Sequence, residues 1–311
     1  MTAQLFASEW AKCAVIDRAY SGPRGFSYTP RMPQYDAAFQ GSRGAFSEIA
    51  SWELLGPEAR LLPCPRLEEV FDAVLNGTAR YGVVPVENTL AGSVLLGVDL
   101  LIQHELVVIG ETVCRIEHAV IGAPGVQLKD VRKVMSHPVA LAQCELFFHT
   151  HPEIQPVPEY DTAGAVEKVI RENLRDCAAI AGSRVAEIFG GVVLADKIQD
   201  HVENYTRFLL VSPEKRDVDD SVRNKTTLVV KLANNPGSLF HSLRPFAERG
   251  IDLTKIESRP IKSSPFEYLF FVDLVSEPGR HAVVFDAVEE LKKISASVRL
   301  LGTYPMKPTR A

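Results

Sequence analysis

Apolar and polar positions fall into short blocks along most of the chain, and their spacing switches between alternation and a helical repeat of about 3.6 residues. Residues 36–41 (DAAFQG) predict a strand ending in a glycine turn, and Phe46, Ile49, Ala50 and Trp52 recur at helical spacing in 45–55. The pattern continues with a helix in RLEEVFDAVLNG, a strand in YGVVPVE, a helix near SVLLGVDLLIQHE and a strand in LVVIGETVC. Strands follow in HAVIGA and VRKVMSH, helices in PVALAQCELFFHT and TAGAVEKVIREN, a strand in CAAIAG and a helix in SRVAEIFGG. Such interleaving predicts a layered α/β domain with a largely parallel sheet over 36–212.

The pattern breaks at SPEKRDVDDSVRNK, which is charged and poor in large apolar residues, and 213–223 is read as a linker. Beyond it the order over 224–305 becomes βαββαβ, a split βαβ or ferredoxin-like unit. Pro245 interrupts the first helical pattern of that unit and weakens it locally. Residues 1–35 contain the Pro/Gly-rich SGPRGFSYTPRMPQ and are expected to be a poorly ordered leader, with 306–311 a short tail.

Composition narrows the classes. A chain of 311 residues at ordinary domain size holds about two domains, and 46% hydrophobic residues suffice for real cores. The net charge of −5 and the lack of a long Lys/Arg run give no reason to expect nucleic acid or an anionic membrane as partner. No stretch is long and apolar enough to span a bilayer, and the leader lacks a secretory h-region. Cys13, Cys64, Cys114, Cys144 and Cys177 form no Cys-x-x-Cys pair, which points to reduced thiols and a cytoplasmic protein, with organelle targeting by the leader left open. His149 and His151 have no further ligands nearby, so no metal is expected.

The chemistry lies at strand-to-helix turns. In GSRGAFSE, Gly41 and Gly44 allow a tight turn and Ser47 falls near a helix N-terminus, an end that attracts a carboxylate; taken alone, a plain Ser-capped glycine turn is the better reading of these residues. That spacing is not the dinucleotide fingerprint, so no nicotinamide cofactor is called for. GVVPVENTLAGSV delivers Glu87, Asn88, Thr89 and Ser93 at the carboxyl end of a strand, where open α/β sheets bind ligands. Ser136 and His137 end another strand, Gln143 lies on the helix that follows, and Thr162 and Ser183 stand at two more helix starts. In NYTRF, Thr206, Arg207 and Phe208 open an apolar strand. Thr206 is placed to hydrogen-bond a departing hydroxyl. Arg207 reads as a planar carboxylate anchor, although on spacing alone a strand-edge arginine reaching out to solvent is the better reading. No Ser-His-Asp set, Walker loop or metal cluster is present in the pattern.

The stretches GSRGAFSE, GVVPVENTLAGSV, SHPVALAQC, DTAGA, NYTRF and KIESRP resemble, in this order, the signature stretches of the prephenate dehydratases and the related arogenate dehydratases. The resemblance spans about residues 36–305. It implies a two-lobed catalytic domain similar to a type II periplasmic binding protein, and a cofactor-free reaction that removes CO2 and water from prephenate to give phenylpyruvate. The family's catalytic threonine corresponds to Thr206, with Arg207 and Phe208 completing its motif. Ser47, Glu87, Asn88, Thr89, Ser93, Ser136, His137, Gln143, Thr162 and Ser183 become candidate substrate contacts, and Thr89-Leu90-Ala91 the place to look for prephenate against arogenate choice. The second half resembles an ACT domain. Asn235, Pro236, Gly237, Ser238 and Leu239 (Ser238 standing where Ala is usual), with Glu257, Ser258, Arg259 and Pro260, match stretches that bind phenylalanine between paired ACT domains. This implies feedback by L-phenylalanine and a homodimer or homotetramer. A non-catalytic amino-acid sensor on the same fold is the alternative from another class.

Overall fold

The computed structural model describes residues 33–261, 264 and 266–307, so most of the leader, Cys13 and the end of the tail lie outside the described residues. The chain first builds β1 (Tyr35–Gln40), α1 (Phe46–Leu55), β2 (Leu61–Cys64), α2 (Leu67–Leu75), β3 (Ala79–Asn88), β4 (Gly92–Ser93), α3 (Leu95–Gln103) and β5 (Val107–Arg115). It then crosses into a second lobe of β6 (Ala119–Gly122), β7 (Lys133–Ser136), α4 (Pro138–Ala142), α5 (Glu145–Thr150), β8 (Gln155–Pro158), α6 (Thr162–Arg171), β9 (Cys177–Ala181), α7 (Arg184–Phe189) and β10 (Val192–Ala195). β11 (Tyr205–Ser212) returns to the first sheet.

That return sets the topology. β11 inserts between β3 and β5 and runs antiparallel to both, giving the order β2-β1-β3-β11-β5. The second sheet, β10-β6-β9-β7-β8, pairs β7 in parallel with β8 and β9 but carries antiparallel β6 and β10. Both sheets are therefore mixed, where alternation alone predicts parallel ones. The physical reason is that each crossing between lobes reverses the direction in which the chain re-enters a sheet.

A further difference falls in PVALAQCELFFHT, which reads as one helix but forms α4 and α5. The Asp200 carboxylate accepts from the N–H groups of Glu145 and Leu146 at 2.9 and 3.0 Å, starting a new helix there and freeing Gln143 to face inward. Asp200 lies far along the sequence, so no local pattern reveals the break.

The last domain contains β12 (Asn224–Lys231), α8 (Ser238–Ala247), β13 (Asp252–Pro260), β14 (Tyr268–Ser276), α9 (His281–Ile294) and β15 (Ser297–Pro305), in the sheet order β13-β14-β12-β15. Pro245 is accommodated in the final turn of α8. The two faces of this sheet serve different cores. Leu228, Val230, Val272 and Leu274 pack under α8 and α9, whereas Val229, Phe271, Leu301 and Tyr304 pack with Leu209, Val211 and Val108 of the first lobe. Period-two alternation thus buries both faces of a four-stranded sheet.

Two glycines enforce close approach. A Cβ on Gly302 would lie 2.0 Å from the Val108 carbonyl oxygen, and one on Gly97 would lie 2.1 Å from that of Pro85. Gly302→Ala must therefore pry β15 from β5. The expected loss is about 1–3 kcal/mol in denaturant unfolding, with the far-ultraviolet spectrum unchanged; an unaltered midpoint would show that the two edges do not meet.

Candidate active site

A cleft of about 730 Å³ opens between the two lobes. Its first-lobe wall is the β1–α1 turn (Gln40, Gly41, Phe46, Ser47), the β3–β4 turn (Asn88, Ala91, Ser93) and Thr206 and Phe208 of β11. Its second-lobe wall holds His118, His137, Gln143, Asp161 and Thr162. Among the described residues no lysine or arginine lines it. Its charged lining residues are Glu159 and Asp161; α1 and α6 both begin at the cleft, α6 capped by the Asp161 carboxylate and α1 with no side-chain cap, so the partial positive charge of a helix start is open at α1.

The deepest polar feature is a chain of amides. The N–H groups of Leu90 and Ala91 donate to Asn88 Oδ1 at 3.0 and 2.8 Å, which fixes which end of that amide is oxygen. Asn88 Nδ2 then donates to Asn204 Oδ1 at 2.8 Å and to Thr206 Oγ1 at 3.0 Å. Asn204 Nδ2 donates to Gln143 Oε1 at 3.0 Å, and His118 Nε2 lies 2.9 Å from the same oxygen. Asn204 is fully buried, and Asn88 is 8% and His118 2% exposed, so each bond forms in a dry setting where an unmade one is costly. Burial pushes the His118 pKa below its ordinary value, against the opposing effect of the bond to Gln143, so the imidazole stays neutral near pH 7. Thr206 Oγ1 accepts from Asn88 and keeps its own proton available on the cleft side.

The neighbouring side chain goes the other way. Strand alternation turns Arg207 out of the cleft, where its guanidinium donates to Glu111 at 2.7 Å, Asp273 at 2.5 Å and the Tyr304 hydroxyl at 2.9 Å. Glu87 stands 3.8 Å from it. β14 and β15 of the last domain thus hold Arg207 directly, and β12 holds its carboxylate partners: Lys225 reaches Glu111 at 2.9 Å and Thr227 donates to Asp273 at 2.5 Å. Burial opposes the Arg207 charge, and Tyr304, Asp273 and Glu111 outweigh it, holding the guanidinium ionised.

The remaining predicted residues divide accordingly. Ser47, Asn88, Ser93, His137, Gln143, Thr162, Thr206 and Phe208 line the cleft; Glu87, Thr89, Ser136, Ser183 and Arg207 do not. Ser136 is buried and donates to the Ile180 carbonyl, tying β7 to β9. Thr89 ties its loop to Glu203 and Tyr205. Ser93, although at the rim, bonds to Glu257 and Lys255 of the last domain. His137 accepts from the Val139 N–H as the cap of α4. Asp161, which the sequence reading passes over, bridges the lobes by accepting from the N–H groups of Ser42 and Gly164. His118 is likewise missed, because it sits in a crossover outside any helical or strand period; Asn204, visible in NYTRF as an amide at the entrance to β11, is given no role by the sequence.

Among the described residues no cysteine lines the cleft, and burial raises the Cys114 and Cys144 thiols to about 12. His151 bonds to the Phe147 carbonyl and stacks on its ring, and among the described residues no cluster of His, Cys, Asp and Glu could hold a metal. In the last domain, Asn235, Ser238 and Leu239 line a cavity of about 160 Å³ with Phe266 and Tyr268. Pro236 is exposed and Gly237 takes a left-handed φ of 83°. Glu257 and Arg259 instead face the catalytic lobe, Arg259 pairing with Asp99 of α3 at 2.7 Å, while Ser258 and Pro260 are exposed on edge strand β13. Within one chain, then, the two stretches expected to hold an effector do not line one cavity.

A two-lobed α/β cleft lined by amides, followed by a ferredoxin-like domain whose sheet packs on the first lobe, defines the class of architecture. Comparison with known proteins specifies it. The family model described as prephenate dehydratase matches residues 37–216, and that of the ACT domain matches 226–295. Arogenate dehydratase/prephenate dehydratase 2, chloroplastic, of Arabidopsis thaliana is 39% identical over 283 residues, 88% of this chain and 73% of the relative. A solved prephenate dehydratase from Arthrobacter aurescens in complex with L-Phe superposes with a TM-score of 0.78 at 32% identity, covering 88% of this chain and 92% of that one. GqqA, described as a novel type of quorum quenching acylase, superposes with a TM-score of 0.79 at 33% identity over 88% of this chain and 99% of its own. The chain belongs to the prephenate dehydratase family and carries a C-terminal ACT domain.

Arg207→Met should leave Asp273 buried without its cation and cost about 3–5 kcal/mol, read in denaturant unfolding. Pairing it with Asp273→Leu should recover part of the loss, whereas an additive double variant would show that the two do not interact.

Proposed function

We propose that the chain is a lyase that removes CO2 and water from prephenate, giving phenylpyruvate on the route to phenylalanine, with arogenate as the alternative substrate. The observation behind this reading is the Thr206 hydroxyl, which accepts from Asn88 and so presents its own proton to the cleft. Thr206 is the donor at the departing 4-hydroxyl, acting as a preorganised hydrogen bond at the oxygen where charge develops. The free N–H groups at the start of α1, beside Ser47, take a substrate carboxylate, and Thr162 at the start of α6 offers a second site. With no lysine or arginine along the described cleft, the ring carboxylate is held by dipoles without being paired to a cation that would oppose its loss as CO2. Phe208 closes the wall beside Thr206. Substrate choice lies with Thr89-Leu90-Ala91, of which Ala91 reaches the cleft. No cofactor is needed, since aromatisation of the ring drives both departures.

Regulation by L-phenylalanine belongs to the same reading. The effector binds at the Asn235–Leu239 loop, its site completed by the exposed Ser258 and Pro260 of β13 from a second copy, in a homodimer or homotetramer, while Glu257 and Arg259 stay engaged with their own first lobe. The L-Phe complex of the Arthrobacter protein supports this, as does the exposure of Phe240 and Ile256 on the ACT surface. The enzyme works in the cytoplasm or, given the chloroplastic Arabidopsis relative, in an organelle. Among the described residues no helix is long and apolar enough to cross a membrane.

Purified protein assayed with prephenate and arogenate in parallel should turn over at least one. Thr206→Val, which keeps the shape and deletes the donor, should lower kcat by about 10²–10³. An active Thr206→Val variant would remove Thr206 from the mechanism; a folded wild type inert on both substrates would leave the amino-acid sensor. Tyr304→Phe, which deletes one Arg207 contact between the ACT sheet and the first lobe, should raise the half-inhibitory L-phenylalanine concentration about fivefold, read in the same assay. An unchanged value would show that the effector acts by another route.

A further inference from the structure

We infer that His118 is a positioning residue for this reaction: held as the neutral Nε2–H tautomer, it donates into the amide network of Gln143, Asn204 and Asn88 that turns the Thr206 proton into the cleft. The inference rests on the dehydratase reading above.

The direction of the chain follows from the donors alone. Backbone N–H groups can only donate, so Leu90 and Ala91 fix Asn88 Oδ1 as the acceptor and its nitrogen as the donor. That nitrogen faces Asn204, whose near atom must be oxygen, so the far atom of Asn204 is nitrogen. The nitrogen of Asn204 faces Gln143, whose near atom must then be oxygen. His118 Nε2 contacts that same oxygen at 2.9 Å and must carry the proton. Gln143 Nε2 is left 3.4 Å from Asn88 Oδ1, the donor–acceptor sense the rest of the chain requires. Reversing any one amide sets two donors or two acceptors face to face at the next link.

His118 is suited to this role by its surroundings. Its main-chain N–H donates to Gln199 at 2.9 Å, its carbonyl accepts from the Ile198 N–H at 2.9 Å, and the Phe46 ring meets it edge-on at 5.9 Å between centroids. No carboxylate bonds to the ring, and its buried Nδ1 has no protein partner. An imidazole in such a place is a fixed N–H donor, unlike a proton shuttle, which needs a partner on each nitrogen. Without it, Gln143 Oε1 keeps only the Asn204 bond, and the glutamine amide is free to turn toward cleft water.

Placement adds a second point. Asn88 ends β3 in the first lobe, Gln143 ends α4 in the second, and His118 and Asn204 lie in the outward and return crossovers. The network therefore joins both lobes through their two crossovers and ties the orientation of Thr206 to the way the lobes meet.

The test combines kinetics with nitrogen NMR on protein labelled at histidine. The His118 signals, assigned by their absence from His118→Gln, should show a protonated Nε2 and a bare Nδ1 at pH 7. His118→Leu should lower kcat between about tenfold and a hundredfold with KM little changed, and His118→Gln, which retains an N–H, should recover part of it. A merely structural histidine would not give the kcat-only loss together with this tautomer. An active wild type with a protonated Nδ1, or a folded His118→Leu variant with wild-type kcat, would overturn the proposal alone. A wild type inert on both substrates would overturn the dehydratase reading and the proposal with it.

Discussion

Everything in this molecule hangs on the alternation of side chains along one strand. β11 pairs with β3 on one side and β5 on the other. Because successive residues point to opposite faces, Thr206 and Phe208 enter the cleft while Arg207 enters the interface between the first lobe and the ACT sheet. A one-residue slip in register would exchange the two. Interaction on both edges, and a guanidinium fully occupied by two carboxylates and a phenol, make such a slip costly.

Arg207 also explains why the catalytic and regulatory domains are not beads on a string. The cluster takes Glu111 and Arg207 from the first lobe and Lys225, Thr227, Asp273 and Tyr304 from three ACT strands. Formal charges cancel within it, and its hydroxyls are paired, which makes the burial tolerable. Lys255, Glu257 and Ser93 extend the contact to the rim of the cleft. An event on the ACT surface thus has a polar path to both walls of β3. This path is a set of contacts, and its energetic coupling is what the regulation assay measures.

The cleft itself has no cationic side chain among its described lining residues. Besides the carboxylates of Glu159 and Asp161 and two imidazoles, its polar atoms are amides, hydroxyls and helix starts. Such groups are oriented before substrate arrives and carry no charge that must be resolvated when a carboxylate leaves. The amide chain from His118 to Thr206 is the clearest case, since no link can reverse alone.

Period and punctuation in the sequence determined the element order, the two-domain division and the strand-to-helix turns where the chemistry lies, because helix and strand spacing and glycine turns act over a few residues. They also singled out Thr206, Asn88 and Gln143, whose polar side chains stand out at the ends of apolar runs. The tertiary structure alone decided which way each side chain faces. It sent Arg207 and Glu87 away from the cleft and made Ser136 a tie between strands. It let Asp200 split one helical run into two. It also brought His118 and Asn204, from irregular crossovers, to the centre of the site. Direction depends on pairing with residues about a hundred positions away, such as Arg207 with Glu111 and Asn88 with Asn204, and those partners are set by the packing of sheets, which no local period encodes.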